Sequence, residues 1–231
     1  MINICILVRN RYRLTTQSLH SLTTNTPVMD YNLVILDDGS EDYRVVQYLN
    51  RIQYASNVSV LSVKNSDHRL GKLKNLMVQW SFKNFGMGDW LYLSDNDVYF
   101  TPGWLPKLVD TAEEAEKSGM KLFGGYNHPY HQPLPRDETD KNWTRHQSLA
   151  GVSWLLRPYT WVAMNGLKED CAPGVCQSED TDFCSRMEKE GYGGIAVINP
   201  HVVYHTGITN SEGKPAVGSE LFPRVAGVIY E

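Results

Sequence analysis

The sequence lacks the features of a secreted or membrane-spanning protein. Met1 leads directly into the apolar segment from Ile2 to Val8, without the basic start and small-residue cleavage site of a signal peptide. No apolar run approaches the roughly 18 residues that indicate a membrane span. We therefore expect a soluble, cytoplasmic protein.

Cysteine is also scarce. The chain has 4 cysteines, which are too few for a disulfide scaffold: Cys5, Cys171, Cys176 and Cys184. The last three could hold zinc, but no second Cys-x-x-Cys or His-x-x-x-His completes a ligand set. Structural or incidental thiols are the favoured interpretation.

Two common nucleotide-binding motifs are missing. No Gly-x-Gly-x-x-Gly follows the first apolar segment, and no Gly-x-x-x-x-Gly-Lys occurs anywhere in the chain. These absences leave a dinucleotide-binding fold and a P-loop unsupported. The net charge of -4 argues against a surface that coats nucleic acid.

The segments that are present alternate between two periodicities. Apolar, strand-like runs at 2–8, 32–36, 58–63 and 90–93 are separated by stretches with helical spacing, such as Leu14, Ser18 and Leu22. A helix that begins after Arg9-Asn10-Arg11 is expected to close at Pro27. Strands alternating with helices predict an α/β fold with a doubly wound, mostly parallel sheet.

The second half continues this pattern less regularly. We predict strands at 121–125, 149–156, 195–198 and 202–204, and a helix that starts near Glu179. The polar stretch 126–145 has no clear period, which is typical of a functional loop or a surface insertion. The chain, 42% hydrophobic over 231 residues, is expected to form one domain.

Acidic residues follow the strand that begins at Trp90. Asp95 and Asp97 are two residues apart, so on an extended backbone their side chains point to the same side. Paired carboxylates suit a hard divalent cation, which commonly carries a diphosphate. In open α/β sheets, ligands bind at the carboxyl edge of the strands. Taken alone, Asp95-Asn96-Asp97 would more simply be a solvated turn.

Several segments, in order, resemble the glycosyltransferases of the GT-A fold in the broad family 2 style. The resemblance runs from Ile4 to about Gly207. Residues 35–40 are similar to the family's Val-Val-Asp-Asp-Gly-Ser motif, and residues 73–75 to its Ala-Arg-Asn motif. Residues 93–97 contain a segment similar to its Asp-x-Asp motif. Further along, 165–167 are similar to its Gly-Gly-Phe turn, and 178–182 to its Glu-Asp motif. In the segment at 73–75, Lys74 replaces the family's arginine.

This resemblance implies roles for individual residues. It makes Asp180 the catalytic base, with Glu179 beside it, and makes Asp97, Asp95 and His205 the metal ligands. The nucleotide would be held by Val8, Arg9, Asp38, Lys74, Asp95 and Asn96. Glu179 and Asp180 would also suit a helix start, because carboxylates there interact favourably with the helix dipole.

The implied activity is transfer of a hexosyl or pentosyl group from a nucleotide-diphosphate sugar, with UDP favoured, to an acceptor hydroxyl. The expected cofactor is Mn²⁺ or Mg²⁺, and the expected outcome is inversion. The resemblance also implies that 1–100 bind the nucleotide sugar, that 101–210 bind the acceptor and carry catalysis, and that 211–231 form a tail or lid. The stretch 126–145 would then be either the wall of the acceptor site or a surface insertion. The acceptor stays open among a glycan, a lipid-linked sugar, a protein, a small molecule and a modified nucleic-acid base.

Two other functional classes fit the sequence less well. A nucleotidyltransferase usually carries a Gly-rich basic loop after the first strand, whereas Arg9-Asn10-Arg11-Tyr12-Arg13 contains no glycine. A non-catalytic sugar- or nucleotide-binding module would differ from an enzyme in showing no donor hydrolysis with metal.

Overall fold

The computed structural model describes residues 1–26, 31–64, 66–127, 142–170, 179–207 and 228–229. Its elements, in chain order, are β1 (Ile2–Val8), α1 (Tyr12–Asn25), β2 (Tyr31–Asp37), α2 (Tyr43–Ile52), β3 (Val58–Ser62), α3 (Leu70–Phe85), β4 (Trp90–Asp95), β5 (Val98–Phe100), α4 (Trp104–Glu116), β6 (Met120–Gly124), β7 (Trp143–His146), β8 (Ser153–Leu156), α5 (Pro158–Ala163), α6 (Glu179–Lys189), β9 (Gly194–Ile198) and β10 (Val203–His205).

The main sheet has eight strands in the order β3-β2-β1-β4-β8-β6-β9-β7. The first four strands in that order are parallel to one another, whereas β8 runs antiparallel to β4 and β6, and β7 runs antiparallel to β9. The predicted mostly parallel α/β sheet is therefore confirmed. A separate antiparallel pair, β5 with β10, completes the described strands.

Helices cover both faces of the sheet, as the doubly wound prediction requires. Ile4 and Ile6 of β1 join one buried cluster, whereas Cys5 and Leu7 join another, because successive residues of a strand face opposite sides. Leu19 of α1 packs in the first cluster. The second cluster also holds Leu73, Met77 and Val78 of α3 and Phe183 of α6.

The register of the parallel strands aligns their polar ends. Leu7 of β1 lies opposite Asp95 of β4, and Val8 lies opposite Asp37 of β2. The antiparallel strand β8 starts at the same edge, because Ser153 pairs with Ser94. In the small sheet, His205 pairs with Val98, the residue after Asp97. Chain segments far apart in sequence therefore meet at one edge.

Two sequence-based predictions of secondary structure were wrong in part. Residues 143–145, which we placed at the end of the polar loop 126–145, belong to the edge strand β7. The strand predicted over 149–156 is shorter, because only 153–156 pair with neighbours and Gly151 lies in a turn before them. Pro27, most of the 126–145 loop, Cys171, Cys176, Pro173-Gly174, Ser178 and all of the 211–231 tail except 228–229 lie outside the described residues.

No helix in the described ranges is both long and apolar enough to span a membrane. The described cysteines, Cys5 and Cys184, are buried free thiols. Burial raises the pKa of each thiol to about 12, which makes both poor nucleophiles at neutral pH. The burial and raised pKa of these two thiols are consistent with the prediction that they are structural.

The side chain of Asn75 ties α3 to the turn that follows α5. Its Oδ1 accepts the Leu167 N–H at 2.9 Å, and its Nδ2 donates to the Leu167 carbonyl at 2.8 Å and to Glu169 at 2.8 Å. Gly166 is required beside it, since its φ is +63° and an added Cβ would press against Asn75. Asn75 is buried, so these bonds have no competition from bulk water.

We predict that Asn75→Ala lowers the free energy of unfolding by about 2–6 kcal/mol, because two buried backbone groups of Leu167 lose their partner, at about 1–3 kcal/mol for each unsatisfied group. Urea unfolding followed by circular dichroism measures this. The control is Asn84→Ala on the same helix, because Asn84 is exposed and its amide donates to the Trp80 carbonyl within that helix. Equal effects of the two substitutions would contradict the role given to Asn75.

Candidate active site

Asp97 and His205 meet where β5 pairs with β10. The Nε2 atom of His205 lies 3.3 Å from Oδ2 of Asp97, and Nη1 of Arg11 lies 2.7 Å from the same oxygen. Asp97 is 6% exposed, and within the described part of the chain its buried Oδ1 makes no hydrogen bond. The carboxylate therefore has one oxygen that is occupied and one buried oxygen whose capacity to accept a bond is unused.

The charges of this cluster stabilise one another. Burial alone would raise the pKa of Asp97, but His205 and Arg11 outweigh it and lower that pKa to about 2. Burial would lower the pKa of His205, and the neighbouring Asp97 reverses this and raises it. Asp97 is thus a carboxylate at any physiological pH, as a metal ligand must be, whereas His205 would have to lose its proton before it could bind a metal.

Lys74 lies between the metal motif and the start of β8. Its Nζ is 3.0 Å from Oδ1 of Asp95 and 3.1 Å from the Gly151 carbonyl oxygen. The ammonium is buried, which would lower its pKa, but Asp95 and Glu179 reverse the shift and keep it charged. The structure thus gives Lys74 a bridging position beside Asp95.

Gly151 connects Lys74 to Asp180. While its carbonyl accepts from Lys74, its N–H donates to Oδ2 of Asp180 at 3.1 Å. The other carboxylate oxygen, Oδ1, accepts the N–H of Thr181 at 2.7 Å. Asp180 is held in one orientation by backbone donors at the first turn of α6.

Glu179 lies beside this group but is bound differently. It is 4% exposed, and its buried Oε2 has no hydrogen-bond partner among the residues that the structure describes. Burial raises the pKa of its carboxyl, against the lowering effect of Lys74. Glu179 therefore combines a free oxygen with increased basicity, whereas Asp180 has a fixed geometry.

Asp38 forms a second recess at the end of β2. Its Oδ2 is 2.8 Å from Nδ1 of His68 and 4.0 Å from Nη1 of the half-exposed Arg9. Its Oδ1 is buried and has no hydrogen bond within the described ranges. The backbone N–H of Asp38 donates to the Val8 carbonyl, which continues the β1–β2 register beyond the strand.

Val8 and Asn96, both predicted to contact the nucleotide, have structural partners here. The Val8 side chain is fully buried in the core, so its carbonyl bond to Asp38 is its link to the recess. Asn96 is buried and its Nδ2 donates to Oγ1 of Thr15 at 2.7 Å, which fixes the metal motif against α1. Their predicted contact with a nucleotide stays a prediction.

The structure thus places these predicted residues at one edge of the sheet, in three separate groups. Asp97 and His205 form one group; Lys74, Asp95, Asp180 and Glu179 form a second; Asp38 and Arg9 form a third. Sequence analysis did not assign Arg11, His68 or Gly151. Arg11 stands in the basic stretch after β1, but no spacing rule indicates that it reaches Asp97, which lies 86 positions away.

No cluster of three or more His, Cys, Asp or Glu side chains arranged to hold a metal occurs among the described residues. Asp95, one of the predicted ligands, is engaged by Lys74 instead. The donor set nevertheless fits a cation that is bound together with a diphosphate, since Mg²⁺ is commonly held by one or two carboxylates and substrate phosphates. Asp97, through its unbonded Oδ1, and His205 would supply the protein ligands.

A cavity of about 690 Å³ opens elsewhere, between α3, α5 and α6, and is lined by Val78, Phe82, Trp161, Leu167 and Arg186 among others. Its lining includes none of the predicted site residues. The polar edge of the sheet is the better candidate for chemistry, because its buried carboxylates and cations perturb one another's pKa values.

Comparison with known proteins agrees with this fold. Similar solved structures include S. aureus TarS residues 1–349, at 16% identity and a TM-score of 0.63 over 87% of this chain and 59% of that one. GalNAc-T7, solved with UDP, GalNAc and Mn²⁺, matches at 16% identity and a TM-score of 0.70 over 93% of this chain and 45% of that one. The mannosyltransferase PcManGT from Pyrobaculum calidifontis, solved with GDP-Man and Mn²⁺, matches at 10% identity and a TM-score of 0.60, over 85% and 56%.

These structural matches show a shared fold, so the predicted GT-A fold is confirmed. The chain spans 45–59% of the length of these solved structures. No curated protein sequence matches the chain. The family model described as glycosyl transferase family 2 matches residues 3–159, about two thirds of the sequence. The chain therefore belongs to glycosyl transferase family 2.

Proposed function

We propose that the chain is a metal-dependent glycosyltransferase that moves a sugar from a nucleotide-diphosphate sugar, with UDP as the nucleotide, to an acceptor hydroxyl with inversion. The observation that carries this proposal is the Asp97 carboxylate, buried beside His205 with one oxygen unbonded, at the same sheet edge as Asp180. Family membership supports glycosyl transfer over nucleotidyl transfer.

Similar structures support the choice of ligands. TarS has been solved with UDP-GlcNAc, and GalNAc-T7 with UDP and Mn²⁺. PcManGT, in contrast, holds GDP-Man with Mn²⁺, so the fold accepts more than one nucleotide. In this chain the unbonded Oδ1 of Asp38 would accept the N3–H of uracil, while His68 contacts the other oxygen.

Departure of the nucleotide diphosphate develops negative charge that must be stabilised. A cation bound by Asp97 and His205 supplies Lewis-acid stabilisation of that leaving group. The histidine ligand, a nitrogen donor, favours Mn²⁺ over Mg²⁺. Lys74 holds Asp95 and the Gly151 backbone in place and contributes fixed positive charge to the same edge.

The acceptor hydroxyl must lose a proton as it attacks the anomeric carbon. Asp180 is the proposed base, because Gly151 and Thr181 fix its orientation at the start of α6. A base that acts opposite the leaving group gives a single displacement with inversion. Glu179 is the second candidate, since burial raises the pKa of its carboxyl.

Asp97→Asn should uncouple nucleotide binding from metal. In the wild type, we expect Mn²⁺ to tighten UDP binding by about ten-fold or more, as charge-assisted contacts of about 1.5–3 kcal/mol would give; in the variant, this gain should disappear together with transfer. Calorimetric titration of UDP with and without Mn²⁺ measures it, with Asp110→Asn on the outer face of α4 as the control. Equal UDP affinity of the wild type in both conditions would refute metal coupling.

Asp38→Asn should weaken UDP binding about ten-fold or more, because the charged buried acceptor for the uracil N–H becomes a neutral amide, and a hydrogen bond to a charged group contributes about 1.5–3 kcal/mol. Asp67→Asn is the control, since Asp67 is an exposed carboxylate next to His68 that pairs with Lys72. The measurement is the dissociation constant for UDP, compared with those for GDP and CDP. If Asp38→Asn altered only acceptor kinetics, the donor recess would be misplaced.

Asp180→Asn and Glu179→Gln separate the two candidate bases. Loss of a general base costs about 10²–10⁴ in rate, so we expect Asp180→Asn to lower kcat by that factor with UDP affinity nearly unchanged. Glu179→Gln should reduce kcat less. Steady-state kinetics with an acceptor that the wild type uses provides the test. Retention of more than about a tenth of wild-type kcat by Asp180→Asn, outside that range, would transfer the role to Glu179.

A further inference from the structure

Arg11 occupies the position beside Asp97 where a cation would be needed. Its Nη1 lies 2.7 Å from Oδ2 of Asp97, the oxygen that also faces His205. The Arg11 side chain is 32% exposed, whereas that of Asp97 is 9% exposed, so the guanidinium reaches from the surface into a buried carboxylate. A guanidinium in this geometry compensates a buried charge that would otherwise be costly.

The backbone around Arg11 is constrained in a way that supports this contact. Arg11 and the preceding Asn10 both have positive φ, at 53° and 52°. Positive φ is uncommon outside glycine and costs free energy unless surrounding contacts impose it. Those contacts are present: Thr15 N–H donates to the Arg11 carbonyl, Thr15 Oγ1 donates to the Asn10 carbonyl, and the Asn10 N–H donates to Ser40 Oγ.

Gly207 leaves the space in which the pair fits. A Cβ at this position would collide with the carboxylate of Asp97 and come within 2.9 Å of Nη1 of Arg11. Gly207, two residues after the end of β10, therefore lies directly against the ion pair. The tight turn on one side and the glycine on the other make the Arg11–Asp97 contact part of the fold of this edge, not an incidental surface pair.

This arrangement conflicts with simple metal binding. A divalent cation on Asp97 would stand within a few ångströms of the guanidinium, and like charges at such distances repel strongly when they are partly buried. A nucleotide diphosphate bound at the same time removes the conflict, because it brings negative oxygens that a planar guanidinium binds well. Because the Arg11 side chain is 32% exposed, its guanidinium lies close enough to the surface to contact such oxygens without unfolding of the edge.

We propose that Arg11 is a place-holding cation: it neutralises Asp97 in the donor-free protein and moves to the donor diphosphate when metal and donor bind together. This inference rests on the proposed metal-dependent function. Arg11 would then discriminate against free metal, because a metal ion without a diphosphate must compete with the guanidinium for Asp97. The protein would thereby bind metal and donor as a pair, in preference to free metal.

The test compares Arg11→Gln with Arg13→Gln, a matched control that removes an exposed positive charge two residues away. Mn²⁺ alone is titrated into each protein by calorimetry, and UDP is then titrated in saturating Mn²⁺. For Arg11→Gln we expect about ten-fold tighter binding of Mn²⁺ alone and about ten-fold weaker binding of UDP, as loss of one charged hydrogen bond would give. Arg13→Gln should change neither affinity by more than about two-fold, because exposed charges contribute little.

Arg11→Lys provides a second variant, which keeps the positive charge at Asp97 and should bind Mn²⁺ alone as the wild type does. Unchanged or weaker Mn²⁺ binding by Arg11→Gln, or an equal effect of Arg13→Gln, would overturn the place-holding role while leaving metal-dependent transfer intact. If the wild type and every variant fail to bind Mn²⁺ even with UDP, the metal dependence in the proposed function falls, and this inference falls with it.

Discussion

The register between β1 and its two parallel neighbours is the constraint on which the site depends. Since Leu7 pairs with Asp95 and Val8 with Asp37, three loops must leave the sheet at the same height. The antiparallel strands β8 and β10 then deliver Gly151 and His205 to that edge. A one-residue slip of any of these strands would turn its buried side chains to the opposite face and separate the polar ends.

Crowding of carboxylates at this edge explains the cations around them. Asp38, Asp97 and Glu179 are nearly buried, and each keeps one oxygen without a hydrogen bond in the described part of the chain. Their neighbours Lys74, Arg11, His68 and His205 stabilise the charges. The charges of this edge are thus balanced without a ligand, while three carboxylate oxygens can still accept a bond. A ligand that brings a cation and hydrogen-bond donors would suit such a site. A metal cation at Asp97 and the N–H donor of a nucleobase at Asp38 would complete bonds that the protein alone leaves open.

The sequence predicted the fold and the residues at the sheet edge, because both follow from local patterns. Apolar runs ending in Asp38 and Asp97 mark strand ends, and Asp180 stands at a helix start. It could not predict that Lys74 bridges Asp95 to Gly151, that His68 orients Asp38, or that Arg11 reaches Asp97, since these contacts depend on side chains brought together by long-range topology. Strand β7 was missed because its pairing with β9 is tertiary, with little apolar alternation in Trp143–His146.

The most direct test of the account is the position of the metal. A crystal of the protein with UDP and Mn²⁺, measured at a wavelength where manganese scatters anomalously, locates the ion independently of any assumed chemistry. The account predicts an anomalous peak about 2.0–2.6 Å from Oδ1 of Asp97, the range in which hard cations bind oxygen, and near His205, with the UDP phosphates on its far side. A peak elsewhere, or UDP bound at this edge with no manganese at Asp97, would contradict it.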